Sequence, residues 1–199
     1  MADMVNRLVV PGRTLIGTSG WSYKHWRGVL YPEGLPGRET LTFYAARFPT
    51  VEVSRTFYSL PDGAAIERWR EAARPGFTYA IKAPRVITHL KRLRRVDQPL
   101  ADFLTRIRGL GRALGPILFQ FPEGFTRETG LLRNFLDMLP RDLSYAFEFR
   151  DPSWFRDRIY DMLADREAPF SFREGRGGTH GAGRCPCSEV TAPRRSPLR

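Results

Sequence analysis

Five polar side chains interrupt an apolar pattern at comparable places. They are Glu52 in TVEVS, Lys82 in YAIKA, Gln120 in ILFQF, and Glu148 and Arg150 in YAFEFR. Residues of these types can do acid–base work on a charged ligand. Glu52 or Glu148 suits a general base, and Lys82 a general acid or an electrostatic clamp. Arg150 suits a carboxylate or phosphate. Burying any one of them alone is expensive, whereas pairing makes burial tolerable.

Positioning them requires strands that end at one place. The chain alternates short apolar stretches with helical spacing. Strands are predicted within 14–21, where a short apolar strand ends in Ser-Gly, and at 50–56, 77–83, 115–122, 144–150 and 169–172. Between them, Leu41, Tyr44, Ala45 and Phe48 predict a helix over 38–48. Asp62 caps a helix carrying Ile66, Trp69 and Ala73. Asp97 caps a longer one over 98–114, with Pro99 in its first turn. Thr126 opens another with Leu131, Leu132, Phe135 and Leu139. In DPSWF, Asp151 and Pro152 start the last, with Phe155, Ile159, Met162 and Leu163. Strands that alternate with helices and are covered on both faces mean a parallel sheet. GTSGWSY after the first strand is not the Gly-rich turn of a doubly wound nucleotide-binding sheet. The expected fold class is therefore α/β: an incomplete, TIM-barrel-like (β/α) repeat of five to six strand–helix units.

Parity then assigns the faces. Val51 and Val53, Tyr79 and Ile81, Ile117, Phe119 and Phe121, and Tyr145, Phe147 and Phe149 pack on the helices. The other parity leaves Glu52, Lys82, Gln120, Glu148 and Arg150 facing a barrel interior, near the strand ends where active sites sit. The expected catalytic residues are Glu52, Lys82 and Glu148. Ser19 and Trp21 follow strand one, Tyr58 follows strand two and His89 follows strand three. With Gln120 and Arg150 they form the expected substrate-binding set. The opposing reading is a structural salt-bridge network that plugs the barrel.

The chain has 199 residues, a net charge of +11 and a pI near 10.4. That charge favours acidic partners, nucleic acid first or a phosphorylated small molecule. HLKRLRR (89–95) is the one dense basic run, and GWSYKHW interleaves aromatics with cations in a way that could stack bases. The start of the chain lacks the long apolar run of a signal peptide, and no stretch approaches the roughly 20 apolar residues of a membrane span. A cytoplasmic protein without membrane contact is expected. No cofactor is expected, with a divalent metal held by Glu52, Glu148 and His89 as the minor alternative. A zinc or manganese cluster needs several histidines and carboxylates at strand ends, and His25, His89 and His180 are the only histidines.

IGTSGWSYKHWRGVLYP, FPTVEVSRTFYSLP, FTYAIKAPRVITHL, LGPILFQFP and FEFRDPSW resemble, in order and spacing, the YecE-like family, domain-of-unknown-function family 72. The resemblance implies a TIM-barrel-like fold of roughly 250 residues and no established activity. Its fold is similar to that of the apurinic-endonuclease and xylose-isomerase barrels, an analogy that carries no function. The family commonly has Asn after V-E-[IV]. Here Ser54 shortens one polar group at the mouth.

From Glu174 onward the pattern changes. The segment has no aromatic residue, five arginines against two glutamates, and only Val190 and Leu198 as large aliphatics. The expected organisation is a partial barrel domain over 1–173 and a basic, disordered tail over 174–199 outside the family pattern, as from a shifted reading frame or an early stop. Cys185 and Cys187 fall in that tail, where with His180 they could hold a metal only adventitiously. Three functional readings follow. One is an enzyme-like mouth for an anionic substrate, nucleic acid or a phosphorylated metabolite. The second is a nucleic-acid-binding protein without catalysis, and the third an inactive truncated remnant. Whether the chain is an enzyme stays open. An unclosed barrel exposes a sheet edge and apolar inward faces. The isolated chain should therefore be poorly soluble or depend on a partner. Sedimentation and thermal melting check this, and a soluble monomer that melts cooperatively would overturn it.

Overall fold

In the computed structural model, residues 14–166 and 170–172 are described. Six parallel strands form one sheet in sequence order: β1 (Gly17–Ser19), β2 (Thr50–Val53), β3 (Thr78–Lys82), β4 (Leu114–Gln120), β5 (Tyr145–Phe149) and β6 (Phe170–Phe172). Helices α1 (Thr40–Ala45), α2 (Gly63–Ala72), α3 (Asp97–Ile107), α4 (Thr129–Met138) and α5 (Asp157–Ala164) provide the crossovers. The architecture is thus α/β with consecutive parallel strands. Among the described residues the sheet does not close, because β1 and β6 are its two edges.

Apolar parity sets the packed face as expected. Val51, Tyr79, Ile81, Ile117, Phe119, Phe121, Phe147 and Phe149 are fully buried. At the β4–β5 end the core is an aromatic stack. The rings of Phe121 and Phe149 lie 4.8 Å apart, and those of Phe149 and Trp154 4.3 Å apart. Such pairs add about 0.5–1.5 kcal/mol each beyond area burial. At the other end Tyr44 does a similar job with its hydroxyl. It accepts from the Thr18 amide at 2.9 Å and donates to the Thr50 carbonyl at 3.1 Å, tying the short β1 to β2 across α1.

Several boundaries differ from the sequence reading. The first strand is only three residues, and Ile16 is 73% exposed, because β1 is an edge with a partner on one side alone. The helix expected over 38–48 divides into a 3₁₀ turn, Gly37–Glu39, and α1. The helix expected to run to 114 stops at Ile107. A 3₁₀ segment, Arg108–Ala113, follows and breaks at Gly111, whose φ of 56° is left-handed. Asp97 is not the cap of α3 but its first residue, where its charge still favours the helix N-terminus. The helix expected from Thr126 starts at Thr129. Asp151 accepts from the Ser153 amide and caps a 3₁₀ turn, Pro152–Trp154, rather than α5 itself. Asp62 does cap α2, accepting from the Ala65 amide at 2.7 Å.

The tail expected over 174–199, with His180, Cys185 and Cys187, lies outside the described residues. No helix among the described residues is long and apolar enough to cross a membrane.

The β3–β4 ladder shifts register between Tyr79 and Ile81. Gly115 permits the close approach there. A Cβ on it would sit 2.2 Å from Thr78 Cγ2 and 2.9 Å from the Tyr79 carbonyl oxygen. Backbone cannot swing aside as a side chain can. Gly115→Ala should therefore lower stability by about 1–3 kcal/mol, read as a reduced urea midpoint at unchanged slope.

Candidate functional site

Strand register staggers the polar residues. Ser19 pairs with Glu52, Glu52 with Ala80, Lys82 with Leu118, and Gln120 with Glu148. The polar positions therefore climb by two residues from β2 to β3 and again from β3 to β4, while Ser19–Glu52 and Gln120–Glu148 are level, and the polar side chains fall into two groups.

The first group surrounds Glu52. Its Oε1 accepts from Ser54 Oγ at 2.7 Å and from Ser19 Oγ at 3.0 Å, and the two hydroxyls lie 2.9 Å apart. Oε2 receives no hydrogen bond among the described residues. Glu52 is half-buried, so one carboxylate oxygen is held and the other is left for a ligand or water.

The second group is a continuous chain. Lys82 Nζ donates to Gln120 Oε1 at 2.7 Å, and Gln120 Nε2 donates to both oxygens of Glu148 at 2.8 Å. Arg150 Nε reaches Glu148 Oε1 at 3.3 Å. Lysine can only donate and a carboxylate can mainly accept, so the amide orientation of Gln120 is dictated from both ends. Gln120 and Glu148 are 8% and 7% exposed. No buried side-chain polar atom among the described residues lacks a partner. This disposes of the desolvation penalty that an unpaired Glu148 would carry.

Above this chain the loop after β3 brings in His89. Residues Val86–Leu90 make a single π turn, a geometry common at functional sites. His89 Nδ1 lies 2.9 Å from Thr88 Oγ1, and its ring meets Phe57 edge-on at 4.8 Å. Lys82 Nζ lies 4.8 Å from the other partner of that contact, the Phe57 ring. Burial first, then the charges of Lys82, Arg150 and Arg92, hold the His89 pKa below its ordinary value of 6.5. Burial and nearby positive charge thus both favour the neutral imidazole.

The loop that delivers Arg92 is strained. Arg92, Leu93 and Arg95 have φ of 46°, 67° and 51°. Each such residue costs about 1–3 kcal/mol. Burial of Leu93, 2% exposed, returns about 1.5–3 kcal/mol and so cannot offset three of them alone. Hydrogen bonds from the Lys91 amide to Val86 and from the Leu93 amide to Ile87, both 3.0 Å, help close the loop. Arg94 adds an exposed contact to Glu128 at 2.5 Å, a small term at that exposure.

The remaining expected residues lie at the periphery. Ser19 belongs to the Glu52 group. Tyr58 is 71% exposed, with Arg85 5.8 Å from its ring. Trp21 packs edge-on against Trp69 of α2 at 5.8 Å and lines a cavity of its own. Among the described residues no group of three His, Cys, Asp or Glu side chains is placed to hold a metal ion. Arg92 was not among the expected site residues. The density of HLKRLRR was the only signal for Arg92, because its left-handed backbone has no glycine or asparagine to announce it.

A family model described as "Protein of unknown function DUF72" matches residues 15–197. The chain belongs to the DUF72 family. The matched span continues past residue 173, into the segment that composition had set apart. This DUF72 chain is 36% identical over 141 residues to the UPF0759 protein YecE of Escherichia coli K12, covering 70% of this chain and 49% of YecE. It is 25% identical over 173 residues to the UPF0759 protein YunF of Bacillus subtilis 168, covering 83% of this chain and 58% of YunF. The chain thus spans about half the length of these curated relatives. A crystal structure of a DUF72 family protein from Thermotoga maritima superposes with a TM-score of 0.65 at 30% identity, over 78% of this chain and 63% of that one. One from Enterococcus faecalis, at 21% identity and a TM-score of 0.61, bears on the fold alone.

The His89 environment has a sign that can be measured. Folding disfavours its charged form, so as the pH falls the unfolded chain takes up the proton first. The stability owed to neutral His89 is whole above 6.5 and is lost as pH falls through the lower folded value. Imidazole NMR should place the His89 midpoint below 6.5. Urea unfolding should show a loss between about pH 7 and pH 5 that is smaller in His89→Gln. A His89 midpoint above the ordinary value would contradict the geometry.

Proposed function

We propose that the mouth at the C-terminal ends of β2–β5 binds a phosphate-bearing ligand and acts on it by acid–base chemistry. The observation that carries this is the chain Lys82–Gln120–Glu148–Arg150, two cations on one buried carboxylate, with Phe57 set between Lys82 and the half-buried His89. Like charges repel, and a protein that only needed to neutralise Glu148 would not gather two cations and a histidine there. An anion in their midst relieves the repulsion. The reading takes the open sheet as the part of a TIM-barrel-like fold whose strand ends form the mouth.

Roles follow from the bonds. Glu148, loaded by Gln120 and Arg150, orients cations and is poorly placed to accept a further proton. Glu52, with one oxygen held by two serines, is the better general base. Lys82 and Arg150 hold the negative charge of the ligand, with His89 as a neutral donor or acceptor beside them. Ser19 and Tyr58 border the opening. The net charge of +11 supports nucleic acid among phosphate-bearing ligands. The same charge supports a second reading, nucleic-acid binding without catalysis. No cofactor enters this reading.

Inorganic phosphate should raise the His89 midpoint, because a bound anion favours the imidazolium, whereas chloride at equal ionic strength should not. Lys82→Ala and Arg150→Ala should each weaken phosphate by about tenfold or more, as expected for a lost charged hydrogen bond. An unchanged His89 midpoint at saturating phosphate would sink the reading. Glu52→Gln separates the two versions: it should abolish turnover of a phosphate ester while leaving salt-dependent nucleic-acid affinity intact.

A further inference from the structure

The 3₁₀ turn Arg55–Phe57 has two sides. Phe57 faces the mouth, against Lys82 and His89. Arg55 and Thr56 line a different cavity, of about 270 Å³, on the helix side of β2. Its other walls are Trp21 from the loop after β1, Ser59, and Arg68 and Trp69 of α2. The wall between the two sites is firmly held. Thr56 is 1% exposed, and its hydroxyl contacts the Val53 carbonyl at 2.8 Å and the Lys82 carbonyl at 2.6 Å. The same residue therefore fixes the floor of one site and the backbone that presents Lys82 to the other.

The cavity has the chemistry of an anion with a flat apolar part. Among the described residues neither Arg55 nor Arg68 forms a side-chain hydrogen bond or ion pair, although Glu67 and Glu71 lie close to Arg68 in sequence. Glu67 is instead bound to Arg70. The one carboxylate lining the cavity, Asp62, is committed to capping α2. Two indoles, Trp21 and Trp69, form the apolar wall at right angles to one another. The volume falls just under the roughly 300–1,000 Å³ of sites for drug-sized ligands, which suits one monomer unit and not a large cofactor. Directly after the dividing turn, Tyr58 stands exposed with Arg85 beside its ring. Exposed aromatics interleaved with unpaired arginines are what a single strand of nucleic acid stacks on and follows.

We infer that this cavity is a second subsite, in which a single-stranded nucleic acid places the nucleotide next to the one held in the mouth. The strand crosses the Arg55–Phe57 turn with a base on Tyr58. One phosphate meets Lys82 and Arg150, and the following phosphates meet Arg55 and Arg68. This rests on the phosphate-binding reading of the mouth and narrows its ligand from any phosphate ester to a polynucleotide.

The test uses the full chain and two probes: inorganic phosphate, read by the His89 NMR midpoint, and a labelled six-nucleotide oligothymidylate, read by anisotropy. The oligonucleotide should bind at least tenfold more tightly than phosphate, about the return on one charged contact. The double variant Arg55→Gln, Arg68→Gln should lose that advantage and reduce the log–log salt slope by about 1.4, two single-strand contacts at about 0.7 each. Its His89 response to phosphate should stay as in the parent. Both arginines are exposed, so the core is untouched, and far-ultraviolet circular dichroism checks this. If the double variant binds the oligonucleotide as the parent does while phosphate still moves His89, the second subsite is wrong and the mouth stands. Loss of the phosphate response in the double variant makes the two sites one and also overturns the inference. If phosphate leaves His89 unmoved in the parent and the oligonucleotide does not bind, both readings fall.

Discussion

A carboxylate buried at Glu148 has to be matched, and much of the upper half of the molecule follows from how it is. Gln120 supplies both amide protons to it, which turns the Gln120 carbonyl oxygen toward β3, where Lys82 is the donor. Arg150 closes the other side. In a low-dielectric site each link is stronger than in water, and an unfilled link would cost more than its neighbours return. The charges of Lys82 and Arg150 are thereby delivered to one place without being spent entirely on an ion pair. Burial first, and then these charges, lower the affinity of His89 for a proton.

Two loops depend on this arrangement and complete it. The turn after β2 leans Phe57 over Lys82 and hooks Thr56 onto the Lys82 carbonyl, so the same strand end is gripped by side chain and backbone. The loop after β3 takes up a π turn that sets the half-buried His89 against Phe57, and three left-handed residues follow it. Strain of this size persists only where the surroundings over-determine it. Here the buried Leu93 and the short hydrogen bonds within the loop do so. The packed sheet and the costly loops at its C-terminal edge divide the described residues into a scaffold and the loops it carries.

Much of this was legible in the residues. Alternation in TVEVS, YAIKA, ILFQF and YAFEFR separated a helix-packed face from a polar one, and the burial of Val51, Ile81, Phe119 and Phe147 follows it. The five motifs identified the family, and the matched span bears that out. Helix ends were less legible. Asp62 and Asp97 look alike as caps, yet only Asp62 caps, because the chain before Asp97 is already turning out of the strained loop. Gly111 ends the helical stretch after α3 through a backbone angle that composition does not announce.

The sequence by itself determined the parallel α/β order, the family and which polar residues share the face opposite the helix-packed one. These depend on local periodicity and on residue types that any strand or helix would sort in the same way. Tertiary structure alone decided how the shared face divides. Strand stagger places Gln120 between Lys82 and Glu148 and leaves Glu52 with Ser19 and Ser54. It also decided that Trp21 joins the helix layer while Phe57 turns to the mouth. Register and loop conformation are set by contacts between residues tens of positions apart, and no window of sequence contains both partners.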